Sequence, residues 1–322
     1  MKRETGFDPN GTTGGVGDGA TGADWRATVV IPVFGREDVF GTVAFLRERE
    51  YARRLRFVVV DNGNADGLSA KLSALKGDDC EVVRLARNSG GSGAFRAGMA
   101  AALERDGRGF VWLLDDDALV NERTLPALVG EWRRLSEEGG KPGAVGSAML
   151  GRRNPGTVIE VGSGISRLTS KQRPRFHGKT LAEIGERTDA VEYVAAASLL
   201  TTAEVLREVG VFEDVFIHFD DIDWCFRVRA AGYGVFATTR SCVNHMEGSA
   251  KVANWIVYYN YRNRLWFLKR HFPALHKLVF CEMLAALCLF VGLGRSAKAR
   301  MVWLGMRHSV SGRLLMRDEL PQ

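Results

Sequence analysis

Four short apolar runs alternate with helical stretches through the first 120 or so residues, and few folds accommodate that order. Thr28-Val29-Val30-Ile31-Pro32, Phe57-Val58-Val59-Val60-Asp61, Val82-Val83-Arg84-Leu85 and Phe110-Val111-Trp112-Leu113-Leu114 have the length and β-branched or aromatic content of strands. Helical patterns occupy 37–49, 67–76 and 92–105 between them. Strands that are apolar throughout must be covered on both faces, so the fold class expected is α/β, a mainly parallel sheet flanked by helices. Further on, a strand-like Gly143–Met149 precedes a Gly- and Arg-rich excursion to about 180. Glu192–Leu200 and a helix over Ala203–Val209 return to core, and a strand ends near His245. From about Asn254 the chain reads as helical, aromatic and basic.

Ligands of such sheets bind beyond the carboxyl ends of the strands. Here the four strands are followed by Pro32-Val33-Phe34, by Asp61-Asn62, by Arg87-Asn88-Ser89-Gly90-Gly91-Ser92-Gly93, and by Asp115-Asp116-Asp117. Three adjacent carboxylates repel one another and resist burial. A hard divalent cation, Mg²⁺ or Mn²⁺, relieves that repulsion. Helix capping is the competing reading, although one Asp suffices for a cap. The run Gly91-Ser92-Gly93-Ala94-Phe95-Arg96 opens like a dinucleotide fingerprint but ends in Arg where Gly or Ala would pack on the strand. Its bare N–H groups at a helix start suit an anionic ligand, with a tight turn as the plain alternative.

Asp220-Asp221-Ile222-Asp223 lies at the mouth of another helix. A carboxylate there can take a proton from a hydroxyl as general base; capping explains it equally well. His245, after a strand, is either a third metal ligand or structural. Trp224, Trp255, Trp266, Tyr258 and Tyr259 can stack on sugar rings, but their spacing also fits a helix core.

The sequence carries 44 Lys and Arg against 38 Asp and Glu, and the excess is local. Eleven of those cations but only three of the acids follow Tyr261. The basic tail surrounds an apolar Leu278–Leu293, which points to contact with anionic lipid; an ordinary packed appendage is the alternative. Nucleic acid is a poor partner, since the charge sits away from the strand ends. Five scattered cysteines with no CxxC spacing read as reduced thiols in a cytoplasmic protein. Residues 1–24, with seven glycines and no apolar run, read as a flexible leader.

From about Thr28 to Phe267 the chain resembles the family-two nucleotide-sugar glycosyltransferases. The resemblance is carried by Val30-Ile31-Pro32-Val33, Val60-Asp61-Asn62, Arg87-Asn88-x-Gly90-Gly91-x-Gly93, the Asp115–Asp117 triplet and Phe216-Ile217-x-x-Asp220-Asp221-x-Asp223. Gly232-Tyr233, His245 and Tyr258-Tyr259-x-x-Arg262-Asn263 extend it. Within the family the chain is most similar to bacterial rhamnosyltransferases and galactofuranosyltransferases of cell-wall and surface-polysaccharide assembly. The resemblance implies a type-A nucleotide-diphosphate-sugar-binding fold and inversion at the anomeric carbon. Pro32, Val33, Asp61, Arg87, Asn88, Gly90, Gly91, Asp115 and Asp116 would line the donor nucleotide, Asp61 through its base. Asp117, with Asp115 and His245, would hold Mn²⁺ or Mg²⁺. Asp221 would be the general base and Asp220 would help position the acceptor.

It further implies a donor such as dTDP-rhamnose or UDP-galactofuranose and a glycan or glycolipid acceptor. The organisation expected is a catalytic domain over 25–260, with its nucleotide half reaching to about 150, and a basic helical tail over 261–322. The tail would place the protein at the inner face of the cell membrane. Polymerising galactofuranosyltransferases carry a tryptophan pair where this chain runs Glu192-Tyr193-Val194-Ala195-Ala196-Ala197, which leans the comparison towards rhamnosyltransferases. The rival enzyme class is a nicotinamide-dependent oxidoreductase, and the rival outside catalysis is an inactive sugar-nucleotide-binding scaffold.

Overall fold

The computed structural model describes residues 25–105, 108–166, 169–246 and 253–321. The expected leader, 1–24, lies outside the described residues. The first half runs β1 (Ala27–Val33), α1 (Asp38–Arg47), β2 (Leu55–Asp61), α2 (Asp66–Ser73), β3 (Cys80–Arg84), α3 (Gly90–Arg105) and β4 (Phe110–Leu114). All seven residues of β1 are buried, as an apolar run covered on both faces requires. Val29, Ile31, Phe57 and Val59 join the core on one face of the sheet; Val30, Val58 and Val60 join the other. Helix α3 lies so close to the sheet that a Cβ at Gly98 would sit 2.3 Å from Val30 Cγ1.

The second half contributes α4 (Thr124–Glu137), β5 (Pro142–Gly151), β6 (Val158–Glu160), β7 (Ser163–Ile165), β8 (Gln172–Pro174), α5 (Leu181–Ile184) and β9 (Thr188–Ala190). These are followed by β10 (Ser198–Thr202), α6 (Ala203–Val209), α7 (Asp220–Ala230) and β11 (Gly234–His245). The main sheet has the order β3-β2-β1-β4-β10-β5-β11-β9, with β6 paired to β5 and β7 with β8 as a separate ribbon. Neighbours are parallel from β3 to β4 and between β5 and β11; β10 runs antiparallel between β4 and β5. The excursion before residue 180 is therefore built of short paired strands. Val33, Asp61 and Arg84 share one register line, so the loops after β1, β2 and β3 open on one edge.

Three helices close the chain: α8 (Asn254–His271), α9 (Pro273–Gly292) and α10 (Ser296–Ser311). They form a third core around Tyr258, Tyr259, Leu265, Met301 and Met306. Phe267 of α8 instead enters the main core, edge-on to Phe226 at 5.1 Å. The division expected between 260 and 261 thus falls inside a helix that serves both cores. Helix α9 buries Val279 and Met283 but leaves Leu289 59% and Val291 63% exposed. Among the described residues it is the one helix long and apolar enough to cross a membrane.

Candidate active site at the strand ends

A cleft of about 190 Å³ opens at this edge. Of the residues expected around a donor, Pro32, Val33, Asn88, Gly90, Gly91, Asp115 and Asp116 line it. Asn62 stitches its floor: the side-chain oxygen accepts from Ser89 N–H at 2.8 Å, and Nδ2 donates to Asn88 Oδ1 at 3.2 Å and Gly90 O at 3.1 Å. The loops after β2 and β3 are thereby one unit, and Asn88 Oδ1 turns the chain into α3 by accepting from Gly90 N–H at 2.8 Å. Asp61 lies below the cleft, 1% exposed, accepting from Ser69 Oγ at 2.5 Å and Asn64 Nδ2 at 2.7 Å. Burial would raise its pKa, but these hydrogen bonds outweigh it and hold the carboxyl below its usual range. Arg87 is exposed beside the cleft. The glycine-rich run follows β3, the edge strand, whereas a dinucleotide fingerprint belongs after the first strand of its βαβ unit.

Asp115, Asp117 and His245 come together from β4 and β11. Their ligand atoms lie within 4.8 Å of one another, and His245 Nε2 is 3.2 Å from Asp115 Oδ2 and 3.0 Å from Asp117 Oδ1. Burial alone would lower the His245 pKa, but the two carboxylates win and push it up to about 10. Two hard oxygens and one imidazole nitrogen suit Mn²⁺, and fit Mg²⁺ through the carboxylates. The donor set therefore fits the cation that the sequence implied, with neutral His245 as ligand. Asp116 points elsewhere, accepting from Phe34 N–H at 3.2 Å, and burial pushes its carboxyl up to about 7.

Asp220 and Asp221 open α7. Asp221 accepts from Ile222 N–H at 2.8 Å and from Ala196 N–H at 3.3 Å, and the neighbouring Ala197 carbonyl accepts from Asp115 N–H at 3.4 Å. Two consecutive residues thus join the acidic triplet to the start of α7. Burial first, then repulsion between neighbours, raises both carboxyls: Asp220 to about 7, Asp221 well above the ordinary range. Asp223, fully buried, is engaged by Arg227 Nε at 2.9 Å and His271 Nε2 at 2.8 Å, which leaves it a structural role. The sequence reading missed Glu160, whose half-buried carboxyl is raised by burial and lies close enough to raise the Asp221 pKa further.

The segment leading into α7 is backbone-strained. Phe216, His218 and Phe219 have φ of 71°, 63° and 69°, a region that L side chains avoid. Asn263 holds it, Nδ2 donating to Val215 O at 3.0 Å, Ile217 O at 2.7 Å and His218 O at 3.2 Å. Against α3, Phe216 O accepts from Ser92 N–H at 3.1 Å. Gly90, with φ of +73°, has room for no side chain, because a Cβ would meet Phe216 O at 1.9 Å. The second wall of the cleft was not anticipated as such: Phe216, Ile217, Trp255 and Arg317 line it.

This α/β sheet is found in solved structures. It aligns with GalNAc-T7 in complex with UDP, GalNAc and Mn²⁺ at a TM-score of 0.59 and 13% identity, over 77% of this chain and 48% of that one. It also aligns with a mannosyltransferase of Pyrobaculum calidifontis in complex with GDP-Man and Mn²⁺, at 0.53 and 16% identity, over 89% and 88%. The fold is the type-A glycosyltransferase fold. Residues 28–154 match the family described as glycosyl transferase family 2. The pre-mycofactocin glycosyltransferase of Mycobacterium tuberculosis is 25% identical over 229 residues, 71% of this chain and 44% of that protein. An uncharacterised Sinorhizobium fredii protein is 27% identical over 232 residues, 70% of this chain and 25% of that protein. The chain thus spans less than half the length of these curated relatives.

Proposed function

We propose that this protein transfers a sugar from a nucleoside diphosphate to a hydroxyl of a glycan or lipid-linked glycan, inverting the anomeric carbon. The observation that carries this is the Ala196-Ala197 link, which ties Asp115, at the carboxylate–histidine cluster, to Asp221. Donor and acceptor chemistry then meet across one short peptide. The N–H of Gly91 at the start of α3 favours the donor's phosphates, Gly90 N–H being engaged by Asn88 Oδ1. Asp115, Asp117 and His245 would hold a divalent cation, which would supply neutralisation of charge on the departing diphosphate. Asp221 takes the proton of the attacking hydroxyl; its raised pKa makes it a stronger base than an ordinary carboxylate. Asp220 orients the acceptor, and a single displacement needs no enzyme nucleophile.

The donors in keeping with the resemblance are dTDP-rhamnose and UDP-galactofuranose, in cell-wall or surface-polysaccharide synthesis. Ala196 and Ala197, where polymerising galactofuranosyltransferases carry tryptophans, favour the former. The catalytic domain proposed is 25–260 and the basic tail 261–322, joined through α8, which packs into both cores. The exposed apolar side chains of α9, with Lys277, Arg295 and Lys298 close in sequence, support contact with an anionic membrane face. Calorimetric titration with UDP, dTDP, GDP and NAD, each with Mn²⁺ and with EDTA, tests the central reading. A metal-dependent nucleoside diphosphate is the expected ligand. Metal-independent NAD binding with no diphosphate bound refutes it.

A further inference from the structure

We infer that the segment from Arg313 to Arg317 completes the donor cleft, with Arg317, stacked on Trp255, contacting the donor's diphosphate. This rests on the nucleotide-sugar reading above. One wall of the cleft is acidic, formed by Asp115 and Asp116. Among the described lining residues, Arg317 is the one that carries positive charge, and it is exposed at the cleft. A diphosphate brings two or more negative charges, and its stable seating between these walls needs positive charge on both sides.

Arg317 is held there by a built clamp rather than by a loose terminus. Tyr259 Oη–H donates to Leu315 O at 2.8 Å, Leu315 N–H donates to Tyr258 Oη at 3.2 Å, and Arg262 Nε donates to Arg313 O at 3.2 Å. Leu315 and Leu320 are buried, and Met316 N–H donates to Glu319 Oε2 at 2.8 Å, closing a short 3₁₀ turn over Arg317–Glu319. Arg262 is 5% exposed, and burial lowers its pKa. Its hydrogen bonds go to neutral acceptors, Arg313 O and, at 2.8 Å, Asn263 Oδ1. A buried guanidinium satisfied this way is a costly means of packing two pieces of chain together, since apolar side chains do it better. It is an effective means of fixing where the next residues go.

Trp255 lies one turn before Tyr259 on the same face of α8, edge-on to Phe216 at 6.4 Å. The Arg317 guanidinium sits over its ring, 4.6 Å from the centroid. A guanidinium lying over a ring can keep its in-plane N–H donors for phosphate oxygens. The Tyr-Tyr-x-x-Arg-Asn element therefore has two outputs: Asn263 holds the loop before Asp221, and the other three hold Arg317 against the donor.

The test is calorimetry in Mn²⁺ with whichever of UDP, GDP and dTDP the full-length protein binds, alongside competition by the matching nucleoside. Arg317→Ala is expected to weaken diphosphate binding about tenfold, as loss of a charge-assisted hydrogen bond does, and to leave nucleoside affinity unchanged. Arg317→Lys, which keeps charge but not planarity, should recover part of the loss, and Trp255→Leu should mimic part of it. Thermal unfolding of each variant guards against a fold defect. Unchanged diphosphate affinity in Arg317→Ala, or equal loss for nucleoside and diphosphate, overturns the inference. A wild-type protein that binds none of the three diphosphates overturns the nucleotide-sugar reading itself.

Discussion

Asn263→Ala should unlatch the loop that presents Asp221, and the size of the effect follows from two opposed terms. Three left-handed residues at about 1–2 kcal/mol each store about 3–6 kcal/mol between Phe216 and Phe219. The Asn263 amide has two hydrogens, so at any moment it satisfies two of the three carbonyls it reaches. Losing two buried hydrogen bonds and orphaning their acceptors costs about 2–4 kcal/mol. That is comparable to the strain the loop carries, so the left-handed segment is no longer firmly held and the start of α7 loosens with it. The melting temperature should fall by about 4–8 °C, taking roughly 2 °C per kcal/mol for a chain of this size. Turnover should fall on the order of a hundredfold, as expected for an ångström-scale misplacement of a reacting group. A second substitution tests the logic from the other side. His218 is half-buried at φ 63°, so His218→Gly should recover about 1 kcal/mol in the Asn263→Ala background. Calorimetric melting and initial-rate transfer assays on the four combinations read both quantities. Wild-type melting and turnover in Asn263→Ala would mean that water replaces the amide and the strain is not held there.

Asp221→Asn should abolish transfer while leaving donor binding intact; loss of both together refutes the base assignment. Its carboxyl is raised in the folded state, so the stability tied to it is present at low pH and is lost as pH climbs through the raised pKa. The Asn variant should accordingly gain more melting temperature at pH 8 than at pH 5, and wild-type turnover should rise with pH above the usual carboxylate range. Gly90→Ala should cost several kcal/mol, because the Cβ meets Phe216 O at 1.9 Å in a left-handed conformation; Gly91→Ala, with nothing within 4 Å, should fold normally and weaken only donor binding. Equal melting temperatures for the two would contradict the packing described. Leu289→Gln with Val291→Gln should release the protein from anionic vesicles without changing its melting temperature, and unchanged co-sedimentation would rule out α9 as the lipid contact.

The nucleotide half was legible because its strands are apolar on both faces and announce themselves without partners. Phe110–Leu114 begins and ends in the structure where the apolar run does, and β1 extends its run by one residue at each end. The antiparallel direction of β10 had no local signal, since strand direction is set by the connection rather than by composition. The three-residue strands β6, β7 and β8 are too short to show a period. At the site, Asp115, Asp117 and His245 stood out as polar groups placed where strands end. Arg317 did not: it reaches the cleft from more than two hundred residues away, through hydrogen bonds to tyrosines whose helical spacing reads as ordinary core. Glu160 was hidden for a different reason, being a lone acid in a three-residue strand without periodicity.

The Ala196-Ala197 link has an evolutionary reading. From the link itself only main-chain atoms reach Asp115 and Asp221, the Ala196 N–H on one side and the Ala197 carbonyl on the other. The grip therefore has no side-chain signature and survives a change of residue type wherever the new side chain finds room. Descendants of this scaffold can rewrite which acceptor they recognise by altering what projects from this peptide. The atoms that tie Asp115 to Asp221 stay where they are.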